Sequence, residues 1–273
     1  MRKGISLGFR TYFKSFSFIR KNKLSHFYLY PVLFLVGFSV FAFWGINYVV
    51  DVVSPFMNDL IGVDSLPGDG WWQKTLSVLK DVGRYLTAAV LWVSLIYIFH
   101  KISKYIILIF LSPVMSVVSE KTEEVITGNR IPFSYRQLMR DVIRGSVLAL
   151  RNMVVELLIT VLLLGLNLLI TIFVSPLTFI STPIVSVILF FVSAYYFGFS
   201  TLDYASERRK KTVAQSVGFV SQNKGLAVTN GSFFALWLMI PVLGTYIGTV
   251  VAPITCTVGA TLAYLEIETE INS

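Results

Sequence analysis

Residues 225–265, GLAVTNGSFFALWLMIPVLGTYIGTVVAPITCTVGATLAYL, contain no Asp, Glu, Lys, Arg or His. An uncharged stretch of this length belongs in a membrane, where one uninterrupted crossing takes about 20 apolar residues. Pro241, Gly244, Gly248 and Pro253 divide it into pieces too short to span singly, so it is expected to form a re-entrant hairpin. Backbone groups released by Pro and Gly cannot face lipid. Such a hairpin is either wrapped by other helices or lines a wet cavity, and a cavity at that depth would be a permeation route.

The whole composition points the same way. The chain has 273 residues, of which 55% are hydrophobic and 14% charged, with mean hydropathy +0.72, against roughly 25% charged residues in a soluble domain. The expected fold is an all-α integral membrane protein forming a single membrane domain over 1–273. It would have about four tilted transmembrane helices, the Pro/Gly-broken re-entrant hairpin, and amphipathic surface helices. The formal charge of +8 does not indicate nucleic acid, because the basic residues cluster beside apolar spans. There they orient the protein and meet anionic lipid. The only cysteine, Cys256, cannot form an intramolecular disulfide and reads as small apolar packing.

In chain order, residues 1–23 carry seven Lys or Arg and no acid, with Ile5, Phe9, Tyr12, Phe13 and Phe16 at roughly helical spacing. A basic amphipathic helix on the membrane face is expected. The transmembrane region, 24–202, opens with the apolar run 24–50, too long for the core of a signal peptide. Residues 51–84 hold five aspartates, a Pro-Gly-Asp-Gly turn and the pair Trp71 and Trp72, an external loop with interfacial anchors. The tract 85–118 is 34 residues, about 51 Å as a helix against a hydrocarbon core of about 30 Å, and its middle carries His100, Lys101 and Lys104. Either the lysines snorkel to the inner surface and the helix continues beyond, or they face a protein-lined cavity and attract an anion.

Residues 119–146 are polar, with Gly128 and Pro132 separating two pieces and Ser134 with Gln137 fitting a capping box. Arg136, Arg140 and Arg144 recur on one face of a surface helix, either a solvated lipid-facing stripe or an anion-collecting one. The runs 147–173 and 184–202 are antiparallel neighbours across the short uncharged break 174–183. Glu156 in the first of them is expected to pair with Arg151 or a neighbouring helix, or to relay protons. A basic cytoplasmic helix at 203–224 contains the run Arg208–Lys211, and after the hairpin an exposed tail, 266–273, holds Glu266, Glu268 and Glu270. Lys and Arg number seven before the first span, three in 51–84, six in 119–151, none in 174–183 and five in 203–224. Both termini and both long basic loops are thus placed in the cytoplasm.

No Walker loop, HExxH, CxxC or GxSxG occurs, so neither an enzyme nor a cofactor or metal site is expected. Three local patterns instead resemble the CysZ sulfate-permease family of etoposide-induced-protein-like membrane proteins. The first is Pro113 followed by Glu120, Glu123 and Gly128. The second is Asp203-Tyr204 ahead of a basic helix. The third is Ile240-Pro241 with Ala252-Pro253 and Gly259-Ala260-Thr261. The resemblance runs in order over nearly the whole chain. It implies a bacterial inner-membrane homo-oligomer that admits sulfate for assimilation and cysteine synthesis. It also implies an oxyanion site at the start of the first membrane helix, where the family carries Gly-Leu-Arg-Arg and this chain has Lys23-Leu24-Ser25-His26. Lys23, Ser25, His26 and the backbone amides around Leu24 would capture the anion, with Lys101 and Lys104 drawing it inward. A non-transporting scaffold that gathers lipid or partner proteins on its basic faces is the rival reading.

Overall fold

The computed structural model describes the backbone of residues 2–60, 73–129, 135–209, 211–240 and 244–272, with no strand among them. The helices run in the order α1 (Arg2–Lys21), α2 (Leu29–Leu60), α3 (Gln73–Thr127), α4 (Tyr135–Phe173), α5 (Thr178–Arg208), α6 (Val213–Gln222), α7 (Lys224–Met239) and α8 (Thr249–Asn272). Among the described residues four stretches are long and apolar enough to cross a membrane, Leu24–Asp59, Ile143–Phe173, Ser175–Glu207 and Tyr246–Glu270. The chain is an all-α, multi-pass membrane protein.

The uncharged stretch is a pair of unequal helices. The 16 residues of α7 span about 24 Å, short of the hydrocarbon core, whereas the 24 residues of α8 reach about 36 Å. One limb is therefore long enough to cross, contrary to the expectation of two short pieces. Pro253 does not break α8, because it is the fifth residue of the helix and its missing N–H costs only one bond in the first turns. Pro241 lies outside the described residues. The link Gly244–Gly248 makes a single π-type turn against α7, where a Cβ on either end residue would stand 2.7 Å from the Trp237 carbonyl oxygen.

Of the two ways to shelter such a segment, the protein uses wrapping. Every residue from 252 to 264 is buried, as suits a helix that is apolar all round. Its neighbours are α1, α5 and α7. The tightest crossing joins α5 to α7: a Cβ on Gly198 would fall 1.8 Å from the Ala227 carbonyl oxygen, and one on Gly231 1.7 Å from that of Ala194. Small residues allow this approach, and dispersion rather than hydrophobic burial drives packing inside a membrane. Asn230 adds a polar clip, donating from Nδ2 to Thr201 Oγ1 at 2.7 Å and to the Cys256 carbonyl at 3.0 Å.

The outer helices show the reverse pattern. Only 6% of the most apolar part of α4 or of α5 is buried, against 72% for α8, so both present apolar faces outward. They are antiparallel neighbours as expected, joined by a turn at Ser175–Leu177 that is shorter than the expected break, with Pro183 inside α5. Asn167 holds the pair together, accepting from Ser181 Oγ at 2.6 Å and donating to Thr182 Oγ1 at 3.1 Å. Glu156 accepts from Ser193 Oγ at 2.7 Å, the pairing with a neighbouring helix that its burial requires.

Three sequence boundaries move. The polar segment from Tyr135 onward and the span behind it are one continuous helix, α4. The tract 85–118 lies within the 55 residues of α3, which ends at Gly128 in the left-handed conformation (φ +72°), a C-terminal role suited to glycine. Asp51 and Asp59 sit on α2 rather than in a loop. Trp71, Trp72, Pro132 and Ser134 fall outside the described residues.

Contacts divide the chain into two units, Met1–Leu33 with Tyr105–Ser273, and Phe34–Lys104. The second is the greater part of α2 and the first part of α3, with Phe34 stacked on Phe38 at 5.4 Å. The first contains α1, the rest of α3 and the helices from α4 to α8.

Helix α1 is amphipathic, but the face it buries is not the phenylalanine row. Gly8, Thr11, Tyr12, Ser15 and Ile19 turn inward and pack on α7 and α8, while Phe9, Phe13 and Phe16 are exposed. Small residues decide this. A Cβ at Gly259 of α8 would lie 3.2 Å from Tyr12 Cα, and larger side chains in either helix would hold them apart. Tyr12 stacks flat on Phe233 at 3.8 Å and accepts a hydrogen bond from Trp237 Nε1 at 2.7 Å.

Candidate functional site

Two regions concentrate polar chemistry. The first is the turn between α1 and α2. Lys23 has left-handed backbone (φ 57°, ψ 31°), an uncommon conformation for a residue with a Cβ, and it redirects the chain into the 3-10 turn Leu24–Tyr28. Leu24 and Phe27 anchor that turn in the interior, leaving Lys23, Ser25 and His26 exposed side by side. His26 Nδ1 lies 3.0 Å from the Lys23 carbonyl oxygen. A carbonyl only accepts, so Nδ1 carries the proton, and Nε2 can donate to an anion only when the ring is the imidazolium. The expected oxyanion group is thus exposed and contiguous. Lys101 and Lys104 lie on α3, but their side chains are outside the described residues.

The second region brings together residues that the sequence scatters over 150 positions. Arg144 of α4 donates from Nη1 to Asp203 Oδ2 and from Nη2 to Asp203 Oδ1, both at 2.9 Å. It also donates from Nη2 to Ser216 Oγ at 2.6 Å and from Nε to the Lys211 carbonyl at 2.9 Å, and its Nη1 stands 3.4 Å from Glu207 Oε1. This fork-on-fork geometry is the strong form of the arginine–carboxylate pair. Glycine at 145 makes room for it, since a Cβ there would be 2.9 Å from Glu207 Oε1. Behind Asp203 lies a cavity of about 10 Å³ lined by Ser112, Gly145, Ser200 and Tyr204, about the least space that holds one water. Ser112 Oγ is buried with no partner among the described residues, so it has a free bond to give a water there.

A second cluster adjoins the first. Arg209, one residue past the end of α5, forks onto Glu268 of α8, reaches to 3.5 Å from Glu123 of α3 and stacks over the Tyr264 ring at 4.3 Å. Burial would pull its guanidinium down, but Glu268 and Glu123 outweigh that and hold it above the usual arginine range. Lys211 donates to the Tyr264 hydroxyl at 2.6 Å. Thr261 Oγ1 bonds Ser119 Oγ at 2.9 Å, and Arg10 of α1 pairs with Glu266. The acidic end is therefore the last part of α8, tied to α1 and α5, rather than a loose tail.

These contacts give most of the noted motif residues a place, Pro241 lying outside the described residues. Asp203 and Glu123 hold arginines, Tyr204 is buried beside the cavity, and Gly259 receives α1. Pro113 and Glu120 are half-buried on α3, and Pro253 is buried in α8. Sequence reasoning missed Arg144, Arg209, Lys211 and Tyr264. The four-residue spacing predicts a solvated or anion-collecting stripe at Arg136, Arg140 and Arg144, and only Arg136 and Arg140 of the three are exposed. One available signal was the pairing of a buried-side Asp203 with some cation on another helix, since a carboxylate in a span needs a partner.

Chemically, the two arginine clusters are saturated with acceptors and act as joints between α3, α4, α5, α6 and α8. Lys23, Ser25 and His26, by contrast, are exposed. No group of three or more His, Cys, Asp or Glu among the described residues is placed to hold a metal. Comparison with individual curated proteins gave no match. A family model does match, that of sulfate transporter CysZ/etoposide-induced protein 2.4, over residues 11–247, which takes in both clusters up to α7 but not α8. On that match across most of its length, the chain belongs to the sulfate transporter CysZ/etoposide-induced protein 2.4 family.

Proposed function

We propose that this protein is a sulfate or oxyanion permease of a bacterial inner membrane, with both termini in the cytoplasm, supplying sulfate for assimilation and cysteine synthesis. The observation that carries this reading is the family match together with the exposed Lys23-Ser25-His26 group at the turn into the first spanning stretch. Lys23 supplies charge, Ser25 a hydroxyl donor, the backbone around Leu24 its amides, and His26 a second charge when protonated. Lys101 and Lys104 would draw the anion onward. The packed α7–α8 pair serves as a rigid wall, and the outward apolar faces of α4 and α5 suit lipid or further copies in a homo-oligomer.

The test is a titration of the purified full-length protein with sulfate against chloride. Sulfate is expected to bind more tightly than chloride, and Lys23→Gln with His26→Ala to weaken it by at least tenfold. Equal affinity for both anions, or a variant that binds as the parent does, removes the assignment.

A second reading has its own support: Arg144 and Arg209 are both fully engaged internally, which suits a scaffold. It expects co-purifying membrane partners and no ion flux.

A further inference from the structure

We infer that α1 carries a binding face for anionic phospholipid, made of Phe9, Phe13 and Phe16 with Lys3, Lys14 and Lys21 beside them. The helix is three-sided. Gly4, Gly8, Thr11, Ser15 and Ile19 line one side and meet α7 and α8. Phe9, Phe13 and Phe16 fall on a second stripe, about a third of a turn away, and Lys3, Lys14 and Lys21 on a third. The phenylalanines are 49%, 62% and 39% exposed, too much apolar surface to leave in water without a partner.

Three observations select lipid as that partner. First, α1 carries no acid and its lysines at 3, 14 and 21 are exposed with no ion pair among the described residues, whereas Arg10 is already spent on Glu266. Second, only Asn22 and Lys23 separate α1 from the spanning stretch Leu24–Asp59, so the end of α1 sits at a membrane surface. Third, lysine is depleted at the centres of protein interfaces, while phenylalanines flanked by lysines match an acyl boundary under anionic headgroups. The contact would also reach the core. Phe9 and Phe13 meet Phe233 of α7 edge-on at 5.1 and 5.5 Å, and Phe233 stacks on the buried Tyr12. Lipid bound at α1 is thus one ring away from the α7–α8 pair. The inference rests on the membrane placement of α2 and not on transport, so it stands or falls separately from the permease reading.

The experiment uses the full-length protein in neutral detergent with a short-chain fluorescent phosphatidylglycerol. Binding is expected to weaken about fivefold for each of Lys3→Gln, Lys14→Gln and Lys21→Gln, to change less than twofold for Arg10→Gln, and to resist competition by phosphatidylcholine. In phosphatidylglycerol-containing vesicles, a nitroxide on Phe13→Cys in a Cys256→Ala background is expected to favour oxygen over a water-soluble nickel chelate several-fold more than one on Ser17→Cys. Lysine variants that bind like the parent overturn the inference. So does a label at 13 as open to the chelate as the label at 17. A label shielded from both relaxers that cross-links protomers would assign the face to a second copy of this chain, which also overturns it.

Discussion

Arg144→Gln isolates the joint that holds α4, α5 and α6 together. In the parent, one guanidinium satisfies both Asp203 oxygens, Ser216 and the Lys211 carbonyl. The Asp203 and Glu207 side chains are only 3% and 2% exposed. Glutamine is shorter, uncharged and cannot form the fork, so the buried Asp203 carboxylate loses its forked counter-charge and Glu207 loses a cation 3.4 Å away. Removing one partner of a buried ion pair costs about 3–5 kcal/mol, a large part of the margin of a typical fold. The assay is equilibrium unfolding of the detergent-solubilised protein, with Arg136→Gln and Arg140→Gln as exposed controls expected within about 0.5 kcal/mol of the parent. Neutralising the site as a whole, by Arg144→Met with Asp203→Asn and Glu207→Gln, is expected to recover more than half of the loss, because the cost lies in the stranded charges. An Arg144→Gln protein as stable as Arg140→Gln would refute the reasoning.

Other perturbations test the core and the route. Gly198→Ala or Gly231→Ala drives a methyl onto a carbonyl oxygen 1.8 or 1.7 Å away, so either is expected to separate α5 from α7 and cost about 3 kcal/mol or more, read as lost monodispersity and a lower unfolding midpoint. Gly165→Ala, with open space around it, serves as the harmless control. Burial pushes the Tyr12 hydroxyl from 10.0 up to about 12, so the folded state keeps a proton that the unfolded state gives up. That contribution is intact below about pH 10 and is lost as pH rises toward about 12, and Tyr12→Phe should flatten this alkaline loss in unfolding midpoints. Lys101→Gln with Lys104→Gln is expected to slow labelled sulfate uptake into liposomes, and unchanged uptake would discard those lysines from the path.

Much of the architecture could be read before folding. The absence of charge across 225–265 marked the segment that ends up wrapped, because no other environment tolerates it. The long apolar runs marked the outer helices, and the uncharged break near Pro176 and Pro183 marked their hairpin. What stayed hidden depended on pairings across sequence. Arg144 and Asp203 are 59 residues apart, and a four-residue arginine spacing looks identical whether the last arginine faces water or a carboxylate. In α1 the aromatic residues drew attention, yet glycine, serine and threonine set the packing face, since close helix contact needs small side chains. The strength of α8 as a full-length helix was obscured by Pro253, whose position in the first turns only the fold reveals. At the candidate anion site, the sequence supplied Lys23, Ser25 and His26, while the left-handed turn that exposes them together depends on Leu24 and Phe27 finding the core.

The most direct measurement is labelled sulfate uptake by liposomes that contain the purified full-length protein. The account predicts saturable entry well above that of empty liposomes, competed by selenate and not by chloride. Entry no faster than into empty liposomes, from protein shown to be folded, would contradict it.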